Sequence, residues 1–233
     1  MLIVVVNPHD GSGTSICAVN LACELADFNT HLTDRWRGKY SVVLADANVE
    51  GTATRCCSGG HLPVSGDQGP TEDLKDIRRW IERMQLVREE VDYVVVDGPS
   101  HFGSALNRIV RICDLVIVPC SVADPVNLLP MIDLIKEARS VRSDGGPKCL
   151  FVPMCANVGI VAEKEITTAL LSFGEPVGPV IHQSVDFVKA FNAGKWIGTF
   201  APDSAAYGDI KALTTSVREV LMSTAKARET TGP

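Results

Sequence analysis

The chain has 233 residues, 45% of them hydrophobic and 21% charged. That length and balance exclude a disordered chain and a disulfide-dependent miniature, and predict one α/β domain with a full apolar core. A net charge of −6 excludes nucleic-acid binding through the overall field, leaving only a local basic patch for that role.

Leu2–Val6 is a short β-branched run that stops at Asn7-Pro8. It is too short to span a membrane, lacks the basic start and cleavage site of a signal peptide, and predicts a buried strand. No later segment is long and apolar enough to cross a bilayer, so a cytoplasmic protein without membrane contact is expected. Next comes a turn rich in glycine and serine, then a helical pattern from Ser15 to about Phe28. Ser41–Ala45 reads as the second strand. Thr71–Glu90 reads as a charged amphipathic helix, with Leu74, Ile77, Trp80, Ile81, Met84 and Val87 on one stripe. Val91–Val96 is a strand ending on Asp97, and Leu115–Pro119, Cys149–Met154 and Pro179–Ile181 complete the set.

Helices are predicted between these strands, over about Leu106–Ile112, Pro125–Val141, Ala162–Phe173 and Val185–Ala193. A tail helix over Ser204–Ala227 precedes a frayed end at 229–233. Strands alternating with helices predict a doubly wound, mostly parallel sheet flanked by helices, in one domain over residues 1–228. In such a sheet, ligands bind at the carboxyl ends of the strands.

Eight cysteines lie mostly inside apolar runs. No C-x-x-C pair occurs, and Cys56, Cys57 and His61 lack a clear fourth ligand, so buried thiols are expected rather than a zinc site. Arg78, Arg79, Arg83 and Arg88 interleave with acids on the Thr71–Glu90 pattern, which predicts a solvated, salt-bridged face. Of the mixed basic and aromatic stretch 34–40, one ring is expected to pack down.

Chemistry is expected where the first strand meets the first helix. Asn7-Pro8-His9-Asp10-Gly11-Ser12-Gly13-Thr14-Ser15 has the small residues that let backbone N–H groups curl around an anion at a helix N-terminus. Asp46 and Asp97 each end a strand beside this turn, where acids hold a Mg²⁺ ion and its waters, although strand-end aspartates also serve as simple loop caps.

These segments, in this order, resemble the ParA/MinD family of partition and positioning ATPases, which have the P-loop NTPase fold. The family's nest reads N-P-K-G-G-S-G-K-S/T-T and continues A-V-N-L-A; here the turn runs on to Ile16 and then Ala18-Val19-Asn20-Leu21-Ala22. Its D-x-D-P-Q-G motif resembles Asp46-Ala47-Asn48-Val49-Glu50-Gly51, and its Walker B strand resembles Asp92–Asp97. The stretches Cys113–Pro119, Ala190–Lys195 and Ala201–Ala206 also follow the family, so the resemblance covers nearly the whole chain.

The resemblance implies that His9, Asp10, Gly11, Ser12, Gly13, Thr14, Ser15 and Ile16 bind ATP or ADP. Ser15 and Asp97 would hold Mg²⁺, and Asn157 and Pro202 would meet the adenine. Asp46, Asn48 and Asp97 fall at the family's catalytic positions. The departures concentrate there. His9 replaces the signature lysine, Thr14 the Walker lysine, Asn48 the second acid and Asp10 the first glycine of the pair. His9 has two readings, a protonated stand-in for the lysine or an exposed loop histidine without a role. Removing charges that stabilise a transferring phosphoryl group costs about 10²–10³ in rate per donor, so hydrolysis is expected to be very slow or absent.

Three functional readings follow: a nucleotide-dependent switch, a pseudo-ATPase scaffold, or an ATPase that uses another residue for the lysine. The resemblance also implies a homodimer and an adaptor or centromere-binding protein as partners. Contact with non-specific DNA, through Lys211, Arg218, Lys226 and Arg228, would be weak because Asp209 and Glu219 dilute the patch.

Overall fold

The structure, a computed structural model, describes residues 1–9, 11–27, 40–48, 50–57, 65–70, 73–121, 128–155 and 159–229. Among them are seven parallel strands in the order β3-β2-β4-β1-β5-β6-β7. They are β1 (Leu2–Val5), β2 (Val42–Asp46), β3 (Ser65–Gln68), β4 (Tyr93–Asp97), β5 (Leu115–Ser121), β6 (Lys148–Cys155) and β7 (Ile181–His182). The helices are α1 (Thr14–Asp27), α2 (Thr52–Cys57), α3 (Leu74–Glu90), α4 (Ser104–Ile112), α5 (Leu129–Ser140), α6 (Gly159–Leu171), α7 (Val185–Asn192), α8 (Ile197–Phe200) and α9 (Ala205–Glu229). The predicted α/β class, with a doubly wound parallel sheet, is the observed one.

Successive residues of a strand face opposite sides of its sheet, and β1 shows why it sits centrally. Ile3 and Val5 enter the core beneath α1, α7 and α9, while Leu2 and Val4 enter the core beneath α3, α4 and α5. A strand buried on both faces must be apolar throughout, which is why this run is so readable. The chain leaves β1 through α1 toward the first face and leaves β4 through α4 toward the second. The two departures open a crevice at the carboxyl edge of the sheet, where such folds place their ligands.

Four elements depart from the sequence expectation in some part. β3 has the sequence Ser-Gly-Asp-Gln, with no apolar run to announce it, and is an edge strand paired to β2 alone. α2 and α8 have six and four residues, too short for helical periodicity to register. The α3 stripe is right for Ile77, Trp80 and Met84, which are buried, but Leu74 stands exposed in the first turn. Asp73 caps α3, accepting from the N–H groups of Lys75 (2.8 Å) and Asp76 (3.2 Å), while 71–72 lie outside the described residues.

Tyr40 of this stretch is packed, edge-on to Tyr93 at 5.2 Å; positions 34–39 lie outside the described residues. Arg88 pairs with Asp114 at 3.1 Å, tying α3 to the start of β5 instead of to its own helix. Cys17, Cys23, Cys56, Cys113, Cys120 and Cys149 are free and buried. Among the described residues no helix is long and apolar enough to cross a membrane.

Trp196, 1% exposed, fixes the C-terminal helices to the sheet. Its ring meets Tyr207 edge-on at 5.6 Å, and a Cβ added at Gly198 would lie 2.2 Å from it. Ile197, which follows Trp196, donates its N–H to the Asn20 side-chain oxygen of α1 at 2.8 Å. Truncation here leaves a large cavity, so Trp196→Ala is expected to cost about 3–5 kcal/mol, read as a lower urea midpoint with an unchanged slope.

Candidate nucleotide site

The turn after β1 is held from below. Asn7 is buried and donates its side-chain amide to the Pro119 carbonyl at 2.7 Å, while its Oδ1 accepts the His9 N–H at 3.2 Å. The turn is therefore strapped to β5 as well as to its own strand. Gly11 and Gly13 take φ of 72° and 84°, a region costly for residues with a Cβ. At Gly13 an added Cβ would also stand 2.5 Å from the Met154 methyl. The helix begins at once, with the Cys17 N–H donating to the Gly13 carbonyl at 2.9 Å. Gly13→Ala is expected to lose roughly 1–2 kcal/mol from the left-handed backbone alone and to abolish anion binding, checked by thermal melts with and without nucleotide.

No lysine ammonium occupies this turn. Where the resemblance places the Walker lysine, the Thr14 hydroxyl instead shares a 2.8 Å hydrogen bond with the Ser12 hydroxyl. The nest keeps its backbone geometry and the positive end of α1, and lacks the formal positive charge of a lysine.

The two strand-end acids, Asp46 and Asp97, are register partners on β2 and β4, yet they differ in kind. Asp46 is fully engaged: one oxygen accepts the Asn48 N–H at 3.1 Å and the other the Thr54 N–H at 2.7 Å, capping α2. Asp97 is wholly buried, and neither of its oxygens has a hydrogen-bond partner. Burial pushes its carboxyl up to about 7; the nearby Ser15 hydroxyl offsets part of that, and Asp46 adds to it. Ser15 is thus within hydrogen-bonding reach of the carboxylate without making a well-directed bond to either oxygen.

A buried, unpartnered carboxylate is expensive. A hard cation taking one carboxylate, one hydroxyl and several waters is the group this pair fits, which is the Mg²⁺ preference. Among the described residues no three His, Cys, Asp or Glu side chains gather as a metal cluster; His61 lies outside them.

Above these residues is a cavity of about 290 Å³. Of the residues singled out from sequence, His9, Gly11, Ser12, Gly13, Thr14, Ser15, Ile16 and Asn48 all line it. Sequence reasoning missed Asn7, Glu50, Thr52, Gly98 and Ser100 as wall residues; the first four lie in or beside the motifs already noted. Among the described residues that line it, none is a lysine or arginine.

No protein-family model and no curated protein sequence matches this chain. Solved structures do. The ParA family ATPase of Chlorobium tepidum TLS superposes with a TM-score of 0.63 at 14% identity, covering 90% of this chain and 95% of that one. The MinD cell division protein of Aquifex aeolicus gives 0.69 at 14%, over 94% and 97%. The cobyrinic acid a,c-diamide synthase of Mycobacterium smegmatis, with bound ATP analog and magnesium, gives 0.70 at 12%, over 93% of each chain. The chain has the ParA/MinD fold. At these identities the likeness carries architecture and not activity, as the presence of a synthase among the neighbours illustrates.

Within this ParA/MinD fold, a second cavity of about 250 Å³ shares Gly11, Ser12, Gly13 and Ile16 with the first and adds Met154, Ile181, His182, Gln183, Ser184 and Phe187. The nest is the common wall of the two. His182 is fixed at this rim: its N–H and Nδ1 meet Asp209 Oδ2 at 2.9 and 3.0 Å, and Nε2 meets Glu163 Oε1 at 3.3 Å. The hydrogen bond to Asp209 is the main cause that raises its pKa. Pro202 is exposed in the turn between α8 and α9 and lines neither cavity. Asp10 and Asn157 lie outside the described residues.

Proposed function

We propose that this chain is a ParA-like nucleotide switch of the partition or positioning type. It would bind ATP or ADP with Mg²⁺ and hydrolyse ATP very slowly or not at all. The observation that carries this reading is the buried, unpartnered Asp97 carboxylate beside Ser15 at the foot of a glycine nest. The nest N–H groups would take the inner phosphates. The more apolar second cavity, on the far side of Gly11–Gly13, has room for the nucleoside half. A bound Mg²⁺ would supply the phosphate-shielding charge that the described wall residues lack.

Ser15 and Asp97 orient that ion, Asp46 keeps the α2 wall in place, and Asn7 holds the nest to β5. Thr14 cannot polarise a terminal phosphate as an ammonium does, and Asn48 cannot act as a carboxylate. Binding groups thus persist while charge-stabilising groups are gone, the pattern of a switch whose turnover is slow.

Nucleotide-dependent homodimerisation and recruitment of an adaptor or centromere-binding protein complete the proposal. Contact with DNA is weak in this reading. Lys211 already stacks over Tyr207 at 4.5 Å, and Arg218 is drawn to the Tyr93 hydroxyl. That no described wall residue is a lysine or arginine favours one rival, a scaffold that has lost nucleotide altogether.

Calorimetric titration with Mg·ATP separates them. Binding at about micromolar affinity or better, with a dimer appearing only in its presence, is the expected result. Heat-silent titration at millimolar nucleotide, with an oligomeric state indifferent to it, would leave only the scaffold.

A further inference from the structure

β7 is a short edge strand. It has two residues and pairs with β6, and its second residue, His182, lines the second cavity. Three elements meet at that residue. One oxygen of Asp209, on α9, accepts its backbone N–H at 2.9 Å and faces its Nδ1 at 3.0 Å, while Glu163 of α6 faces Nε2 at 3.3 Å. A carboxylate accepts and does not donate, and a neutral imidazole carries one N–H. The imidazolium alone has a proton for each partner, so the arrangement is complete in one charge state. Among the described residues these two carboxylates are the charged groups that act on His182. Asp186 and Lys189 of the adjoining α7 do not, and Lys211 of α9 lies over Tyr207 instead.

We propose, resting on the nucleotide reading above, that His182 is a proton-operated latch on the nucleoside side of the site. Protonated, it ties α6 and α9 to β7 and fixes the cavity rim in the form that takes a base. Neutral, it lets α6 go. The contact with Asp209 is the shorter one and is shared with the backbone N–H, so the remaining ring proton stays on Nδ1. The Nε2 lone pair then faces the Glu163 carboxylate, and two acceptors repel. The loss reaches the cavity directly: Ile181 precedes His182, Gln183 and Ser184 follow it, and Met154 is the register partner of Ile181, all four being wall residues. Its pKa is raised above the ordinary 6.5, first by the hydrogen bond to Asp209. The latch is therefore fully engaged below about 6.5 and is lost as pH rises through the higher folded value. Nucleotide affinity thus gains a component that favours the acid side.

The test is calorimetric titration of the wild type, His182→Gln and Glu163→Gln with Mg·ADP at pH 6 and pH 9. Asp97 and the phosphates titrate alike in all three, so each variant is read as its affinity relative to the wild type at the same pH. His182→Gln is expected to bind about threefold more weakly than the wild type at pH 6 and equally at pH 9, the size of effect an exposed ion pair supplies. Glu163→Gln is expected to match the wild type at pH 6 and to bind about threefold more tightly at pH 9, because its amide can donate to the neutral Nε2. Ratios that do not change with pH would make His182 a fixed staple of β7 and overturn the proposal while leaving the nucleotide site standing. A wild type that binds no nucleotide at either pH would overturn the site and the proposal together. If His182→Gln unfolds, the pH dependence of the Glu163→Gln ratio decides, because a merely structural loss leaves that ratio constant.

Discussion

At pH 8, free of metal, Asp97→Asn is expected to be more stable than the wild type by about 1–3 kcal/mol, and at pH 5 the difference is expected to shrink to nothing or reverse. The carboxyl of Asp97 is pushed up to about 7 in the fold, from an ordinary value of 3.8. Between those values the folded chain holds a proton that the unfolded chain has released. Stability is therefore fully present below about 4 and falls as pH rises through about 7. A gap of about three pH units corresponds to about 4 kcal/mol. The amide recovers only part of that, since it is itself buried without a partner and costs about 1–3 kcal/mol.

Urea unfolding of both proteins at the two pH values checks this, and a difference independent of pH would remove Asp97 as its cause. Adding Mg²⁺ at pH 8 should stabilise the wild type and leave Asp97→Asn unmoved, because only a group that binds the folded state raises its stability.

Thr14→Lys is expected to raise ATP affinity and to increase phosphate release by about 10²–10³, the size of effect a single charge-stabilising donor supplies. Thr14 is the first residue of α1, lines the cavity, and spends its hydroxyl on Ser12. An ammonium grown from that position enters the space where an inner and a terminal phosphate would meet. Phosphate release under saturating Mg·ATP reads the outcome. Tighter ATP with an unchanged rate would locate the block at Asn48, and Thr14→Lys combined with Asn48→Asp then becomes the informative variant. Neither tighter binding nor a faster rate would remove the nest as a phosphate site.

Much of this is legible in the sequence. The β1, β4, β5 and β6 runs announce themselves because strands buried on both faces admit only apolar residues, and the glycine turn because few residues accept φ near 80°. β3 was invisible for the opposite reason: an edge strand of Ser-Gly-Asp-Gln carries no burial pattern. α2 was invisible because six residues cannot show a helical period. Thr52, which α2 brings to the cavity wall, carries no signal in the sequence for the same reason.

The two aspartates mark the boundary between sequence and structure most clearly. Both end a strand, and both are buried, at 2% and 0% exposure. Composition, spacing and local pattern determined the parallel sheet, the nest and the presence of an acid at each strand end, because these depend on burial and on backbone freedom within a few residues. Only the tertiary structure decided that Asp46 is consumed as the cap of α2 while Asp97 has no partner and Ser15 nearby. That outcome depends on where the chain returns after leaving each strand. Two backbone N–H groups, from Asn48 and Thr54, fold back onto Asp46, and none folds back onto Asp97.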